Sequence, residues 1–142
     1  MMQHCLRPKL SLLLTLSLGA LGCGSSRNLQ SVAISPATAN AQNFPNGQVA
    51  FTATGTFNKP PSPQKLTGMD ITWCVGTTAG TCPGNIAVGA TVDQNGVASC
   101  LTVAPGTPSK TWLVMAGKAI SSMNPDGGSQ MTVFGSAQLT CP

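Results

Sequence analysis

Residues 48–57 read Gln48-Val49-Ala50-Phe51-Thr52-Ala53-Thr54-Gly55-Thr56-Phe57. The odd-numbered positions are apolar or small, and four of the five even-numbered positions are Gln or Thr. Successive side chains of a β-strand point to opposite faces, so a period of two is typical of a strand with one buried face. The stretch therefore predicts a half-buried strand and favours an all-β fold.

The same alternation recurs along the chain, and turn residues separate the segments. Further strands are predicted at 29–34, 71–75, 86–92, 97–103, 112–116 and 131–139. Turns are predicted at 93–96 and 124–128, and 59–63 is predicted to be an exposed loop because proline cannot donate to a strand ladder. Seven short strands predict an antiparallel two-sheet sandwich, with Trp73 as the large residue that fills the core.

The N-terminal segment resembles a bacterial lipoprotein signal. An apolar run from Leu10 to Leu21 follows Arg7 and ends in Leu21-Gly22-Cys23. The run is shorter than the roughly 20 residues that a membrane-spanning helix needs. This pattern predicts a signal peptide at 1–22 and lipidation of Cys23. Two alternatives are an ordinary secretory signal and an uncleaved anchor.

The predicted mature chain consists of a polar tether at 23–28 and one β-sandwich domain at 29–142. All three interpretations of the signal put this domain outside the cytoplasm. With a lipid on Cys23, the membrane becomes a partner and the domain lies in the cell envelope, at the outer membrane if the host has one. Without the lipid, the protein is secreted.

The cysteines of the domain agree with export. Cys74, Cys82, Cys100 and Cys141 are an even set, which predicts two disulfides, and their wide spacings disfavour a zinc site. Three connectivities are open. We expect Cys74 with Cys100, as a bridge between the sheets, and Cys82 with Cys141. The competitor is Cys74 with Cys82 and Cys100 with Cys141, whose first loop is shorter and easier to close.

The mature sequence offers little catalytic chemistry. It has no His and no Glu, and Ser109 with Lys110 is the nearest approach to a nucleophile and a base. Asp93 and Asp126 fall in turns, where Asp bonds the backbone, and neither turn has the spacing of a calcium loop. We therefore expect no catalytic residue, no metal and no cofactor.

Two further groups of side chains have alternative interpretations. Met115, Met123 and Met131 recur at eight-residue spacing, which core filling explains better than soft-metal binding. Trp112 and the pair Phe44-Pro45 could form a surface that stacks on sugars or peptides, although core packing is favoured. Five Lys or Arg against three Asp form no basic patch in the mature sequence, which disfavours nucleic acid as a partner.

Five blocks in order resemble the bacterial Ig-like domain, group 2. They are residues 29–37, 47–57, 66–67 with 71–73, 96–98 and 103–107. The chain departs from the family in its Pro-rich loop, in an insertion from Cys74 to Pro83 and in its four cysteines. The resemblance implies an Ig-like β-sandwich at the cell surface and transfers no catalytic residue.

The expected function is therefore that of a non-catalytic, lipid-anchored envelope module. Such a module acts in surface binding, adhesion or spacing, with a surface protein or a polysaccharide as its partner. The alternative is a small envelope enzyme, or an enzyme accessory, with a site that the sequence does not reveal.

Overall fold

A computed structural model of the chain describes residues 26–83, 89–101, 108–120 and 128–142. These residues form β-strands and two single-turn 3-10 helices, at Ala41–Asn43 and Pro45–Gly47. The strands are β1 (Leu29–Ser35), β2 (Thr38–Asn40), β3 (Gln48–Ala50), β4 (Thr52–Phe57), β5 (Gln64–Lys65), β6 (Thr72–Gly76), β7 (Thr81–Cys82), β8 (Ala90–Val92), β9 (Val97–Cys100), β10 (Lys110–Ile120) and β11 (Ser129–Cys141). The all-β prediction is confirmed.

The predicted strand at 48–57 is divided at Phe51 into β3 and β4. The Phe51 amide donates to the carbonyl of Gly96, 2.9 Å away, instead of joining a ladder. The alternation is as predicted, because Val49, Phe51 and Ala53 are all buried. Parts of three other predictions lie outside the described residues, namely the strand start at 86–88, the strand end at 102–103 and most of the turn at 124–128.

The strands form two layers. In the first layer β1 pairs with β4, β3 pairs with β9, and β9 pairs with β8, all antiparallel. In the second layer β11 pairs with β10 and β10 with β6, also antiparallel. Since β3 and β4 are consecutive, this is the four-plus-three strand order of an Ig-like sandwich. The additional strands are short. Strand β5 pairs with β4, β2 runs parallel to the end of β11, and β7 pairs with the beginning of β11.

Buried side chains from both layers meet in one core. The first layer contributes Val32, Ile34, Val49, Phe51, Ala53 and Ala98, and the second contributes Val75, Trp112, Val114, Ala116, Ala137 and Leu139. Gly135 allows β11 to approach β1 closely, because a Cβ at this position would collide with the carbonyl oxygen of Val32. The core is therefore closed by interdigitating side chains and by one close backbone contact.

A second, smaller core lies on the outer face of the second layer. Cys82, Met115 and Met131 are buried there, with Leu113 and Phe134 packed against them. The segment at 77–83 crosses this face, and its strand β7 pairs with Ser129 and Gln130. This segment thus covers apolar side chains that would otherwise face solvent. The prediction that Met115 and Met131 fill space is confirmed, and Met123 lies outside the described residues.

The expected disulfide pairing is wrong, and the competing one is present. Cys74 is bonded to Cys82 and Cys100 to Cys141, with Cα separations of 5.7 and 5.6 Å. Trp73 and Cys74 are adjacent on β6, so their side chains point to opposite faces. Since Trp73 faces the core, Cys74 lies beside Met115 on the outer face and cannot reach Cys100 in the other layer.

The two bridges have different structural roles. Cys74–Cys82 closes a sequence separation of 8 residues and fixes the covering segment to β6. Cys100–Cys141 closes a separation of 41 residues and joins β9 of one layer to β11 of the other. On chain-entropy grounds the bridges stabilise the fold by about 2.5 and about 4 kcal/mol, respectively. All four thiols are in disulfides, so the zinc alternative is also excluded.

The assignment of Trp73 as the residue that fills the core requires correction. Trp73 packs against the core but is half-buried, whereas Trp112 is 3% exposed. The reason is strand order: β6 is the edge strand of its sheet, and β10 lies between β11 and β6. The alternative in which Trp112 forms a stacking surface is therefore wrong, and its core interpretation is confirmed.

These positions predict unequal stability losses for the two tryptophans. Trp112→Ala should lower the free energy of unfolding by about 3–5 kcal/mol, because it empties a site at the centre of the core. Trp73→Ala is the matched control and should cost clearly less. Urea unfolding followed by far-UV circular dichroism measures both values. Equal losses, or a larger loss for Trp73→Ala, would contradict the assignment of Trp112 as the central residue.

Candidate functional site

The sandwich has two ends, which differ in chemistry. Strand β1 runs from Leu29, opposite Phe57, to Ser35, opposite Thr52, and so spans about 20 Å. Strand β2 continues in the same direction along the end of β11. We call the end where β1 begins the proximal pole. The opposite end, formed by β2, residues 41–47 and the Cys100–Cys141 bridge, is the distal pole.

An open groove of about 500 Å³ lies at the distal pole. It is lined by Pro36, Thr38, Ala39, Asn40, Asn43, Phe44, Gln138 and Thr140. The lining combines one aromatic ring with amide and hydroxyl groups, and none of these eight side chains is charged. We call it the Phe44 groove. Core packing was favoured for both Trp112 and Phe44, and it is wrong for Phe44, which is 38% exposed and lines the groove, whereas Trp112 is buried.

Local hydrogen bonds hold Phe44 at the edge of this groove. The Asn40 side chain accepts from the Gln42 amide at 3.0 Å, which begins the first 3-10 turn. The Phe44 amide then donates to the carbonyl of Ala41, and its own carbonyl accepts from the amide of Gly47, both at 3.1 Å. Phe44 is therefore fixed between two tight turns, and it remains 38% exposed.

A smaller cavity of about 190 Å³ lies at the proximal pole, beside Arg27. The guanidinium donates to the carbonyls of Lys59 and Pro61 and to Oε1 of Gln64. Its Cζ atom lies 3.6 Å from the centroid of the Phe57 ring. These contacts hold the Pro-rich loop against the start of the domain, with Arg27 as a clamp between them.

Residues 26–28 of the predicted tether are also attached to this loop. The Asn28 amide donates to Oδ1 of Asn58 at 2.8 Å, and the Asn58 amide donates to the carbonyl of Asn28 at 3.1 Å. The Asn58 side chain reaches the carbonyl of Ser26 at 3.4 Å. The contacts of the folded domain therefore include residues that precede β1. Sequence reasoning counted Arg27 only as a charge and did not identify this clamp.

Asp93 closes the β8–β9 turn, as the sequence predicts. Its Oδ1 accepts from the amides of Val97 at 2.8 Å and Asn95 at 2.9 Å, and Gly96 adopts a φ of 82°. The hydrogen bond from Val97, followed by those from Asn95, favours the ionised carboxylate and lowers the pKa of Asp93. Its oxygens are used within the turn, which agrees with a structural role.

Asp70 has a similar role in the loop before β6. Its carboxylate accepts from the Thr67 hydroxyl at 2.8 Å and from the Thr67 amide at 3.1 Å. The side-chain bond from Thr67 is the main cause that lowers the pKa of Asp70, with a smaller contribution from the charge of Arg27. Asp70 and Asp93 are thus both exposed turn residues. The third, Asp126, lies outside the described residues.

The other predicted candidates do not converge on a reactive centre. The Lys110 Nζ lies 4.3 Å from the centroid of the Trp112 ring, so this amine is engaged in a cation–π contact beside Ser109. In the described part of the chain, no group of three His, Cys, Asp or Glu side chains could hold a metal ion. Within the described part of the chain, we take the Phe44 groove as the candidate site for ligand binding.

Cys23 and the predicted signal peptide lie outside the described residues. Within the ranges that are described, no helix has the length and apolar character to cross a membrane. No protein-family model matches the sequence, and a search of curated proteins finds no significant match.

The lowered pKa values predict how stability depends on pH. The folded pKa of Asp70 and Asp93 lies below the ordinary value of 3.8, so their contribution is complete above about pH 5 and is lost as the pH falls through the folded values. The urea midpoint should therefore decline on acidification to about pH 2.5. In Asp70→Asn/Asp93→Asn the decline should be smaller, because the replaced groups do not titrate. An unchanged decline in the double variant would rule out these two turns as its cause.

Proposed function

We propose that this protein is a non-catalytic, lipid-anchored Ig-like module of the cell envelope that binds a surface polysaccharide at the Phe44 groove. The observation that carries the proposal is that the chain entry and the groove lie at opposite ends of the sandwich. The chain enters the sandwich at the proximal pole, and the groove opens at the distal pole. A lipid on Cys23 would therefore hold the groove away from the membrane.

Three features support the envelope location. Leu21-Gly22-Cys23 after an apolar run resembles a lipoprotein signal. The two disulfides fit a chain that is exported to an oxidising compartment. The Ig-like strand order agrees with the resemblance to the bacterial Ig-like domain, group 2, whose members are modules of the cell surface. With Gly24 rather than Asp after the cysteine, an outer membrane is the expected destination where one exists.

The chemistry of the groove favours a neutral sugar chain. An exposed aromatic ring can pack on the apolar face of a sugar, and this contact is favourable in water because it buries apolar surface of both groups. Amide groups such as those of Asn43 and Gln138 offer donors and acceptors to sugar hydroxyls, as do Thr38 and Thr140. Because the eight lining side chains carry no charge, the groove offers no counter-ion to an acidic ligand.

The anchor is tested at Cys23. Wild-type protein should incorporate labelled palmitate, and Cys23→Ala should not, because no thiol remains for the lipid. The measurement is autoradiography of immunoprecipitated protein from labelled cells, with Cys5→Ala as the matched control that keeps its label. Absence of palmitate from the wild type would show that the protein is secreted without an anchor.

The groove is tested at Phe44. Phe44→Ala should weaken binding to the neutral polysaccharide fraction of the producing cells by about five- to tenfold, the amount expected for one lost aromatic contact. Met69→Ala removes an apolar side chain that is 98% exposed elsewhere, and it should leave binding unchanged. Isothermal titration calorimetry measures both affinities. Equal affinities for the wild type and Phe44→Ala would exclude the groove as the site.

A further inference from the structure

The methionines of the described residues are Met69, Met115 and Met131, and their thioethers have very different environments. Met69 is 98% exposed, whereas Met115 is fully buried and Met131 is 7% exposed. A methionine side chain is apolar and polarizable, and it ordinarily fills gaps in a core. Met115 and Met131 do so in the smaller core. The thioether of Met69 is instead open to reagents in the solvent.

The turn that carries Met69 is held in place from both sides. Leu66 and Ile71 flank this turn, and both side chains are buried in the main core. The Thr67 carbonyl accepts from the amides of Asp70 at 2.9 Å and Ile71 at 3.2 Å. The Asp70 carboxylate in turn accepts from the Thr67 hydroxyl and amide. Met69 therefore projects from a turn whose backbone is fixed, and its exposure is a property of the fold.

The buried Met115 is protected in two ways. The segment at 77–83 covers it on the outer face of the second layer, and Cys74–Cys82 fixes that segment to β6. In addition, the Gly80 amide donates to Sδ of Met115 at 3.3 Å. One sulfur lone pair that could attack an oxidant is thus engaged by the covering segment itself.

We propose that Met69 is a modification site at which peroxides form methionine sulfoxide, while the methionines of the smaller core stay reduced. The Met69 sulfur attacks one oxygen of the peroxide, so that an S–O bond forms and the O–O bond breaks. The sulfur loses two electrons. The other peroxide oxygen takes up the proton of the transferred oxygen and leaves as water or as an alcohol. Methionine sulfoxide reductases can reverse this modification.

The surroundings of Met69 allow the change without loss of structure. A sulfoxide is polar, so its formation inside a core disrupts packing. Met69 lies beside an open depression that Asp70 and Lys118 also line, so the new oxygen stays in water among polar groups. The reaction requires neither the lipid on Cys23 nor the sugar-binding groove, and it can therefore fail or succeed independently of the proposed function.

Peptide mapping after treatment with hydrogen peroxide tests the selectivity. Once the peroxide is removed and the disulfides are reduced, trypsin places the three methionines in separate peptides, at 66–110, 111–118 and 119–142. Fragment ions of the last peptide distinguish Met131 from Met123. Met69 should gain one oxygen at least about tenfold faster than Met115 and Met131, because buried sulfurs react only when the structure opens locally. Equal rates in the native protein would overturn the proposal.

Unfolding the protein provides the control for intrinsic reactivity. In guanidinium chloride the three rates should become similar, because burial no longer protects Met115 and Met131. Selectivity that persists in the unfolded chain would show that the fold is not its cause. Protein oxidised at Met69 should also keep its urea midpoint, with Met69→Leu treated in parallel as the matched control. A midpoint that falls in the wild type and not in Met69→Leu would contradict an exposed site without structural cost.

Two variants test the covering segment. In Cys74→Ser/Cys82→Ser the oxidation of Met115 should accelerate by about tenfold or more, because the bridge no longer limits opening of the segment. Gly80→Ala keeps both bridges and should act in the same direction, since the added Cβ would collide with an aromatic ring of the smaller core. Met69 is the internal control and should keep its rate in both. Unchanged protection of Met115 in both variants would exclude the segment as its shield.

Discussion

Burial of β10 on both of its faces is the constraint on which the rest of this structure depends. The inner face places Trp112, Val114 and Ala116 in the main core, and the outer face places Met115 in the smaller one. An Ig-like sandwich needs only its inner faces covered, so the apolar outer face requires an additional layer. The segment at 77–83 provides that layer, and Cys74–Cys82 fixes it in place. The covering segment thus complements the apolar side chains on the outer face of one strand.

Periodicity predicted the faces of strands better than it predicted their places in the sheets. The alternation in residues 48–57 correctly identified Val49, Phe51 and Ala53 as buried, because the period of a strand is a local property. Whether Trp73 or Trp112 lies at the centre depends on strand order, which arises from pairings over long sequence distances. The disulfides also show the difference between what local periodicity predicts and what depends on strand order. Opposite orientation of Trp73 and Cys74 was available from the period of two and would have excluded a bridge from Cys74 across the core.

The sequence also identified only part of the candidate sites. Phe44 was considered as part of a stacking surface, but core packing was favoured, because an aromatic side chain in a sequence is more often buried than exposed. The Arg27 clamp was not recognisable, because its partners are two carbonyl groups and one amide more than 30 residues away. Backbone acceptors have no sequence signature.

The clamp also determines how an anchor could act on this domain. A long flexible tether would let the sandwich rotate freely above a membrane, and the position of the groove would then have no consequence for function. Here the contacts of Ser26, Arg27 and Asn28 with the loop at 58–64 extend the folded body almost to Cys23. Residues 26–28 therefore have little conformational freedom of their own, and a lipid on Cys23 would act on the domain through three residue steps.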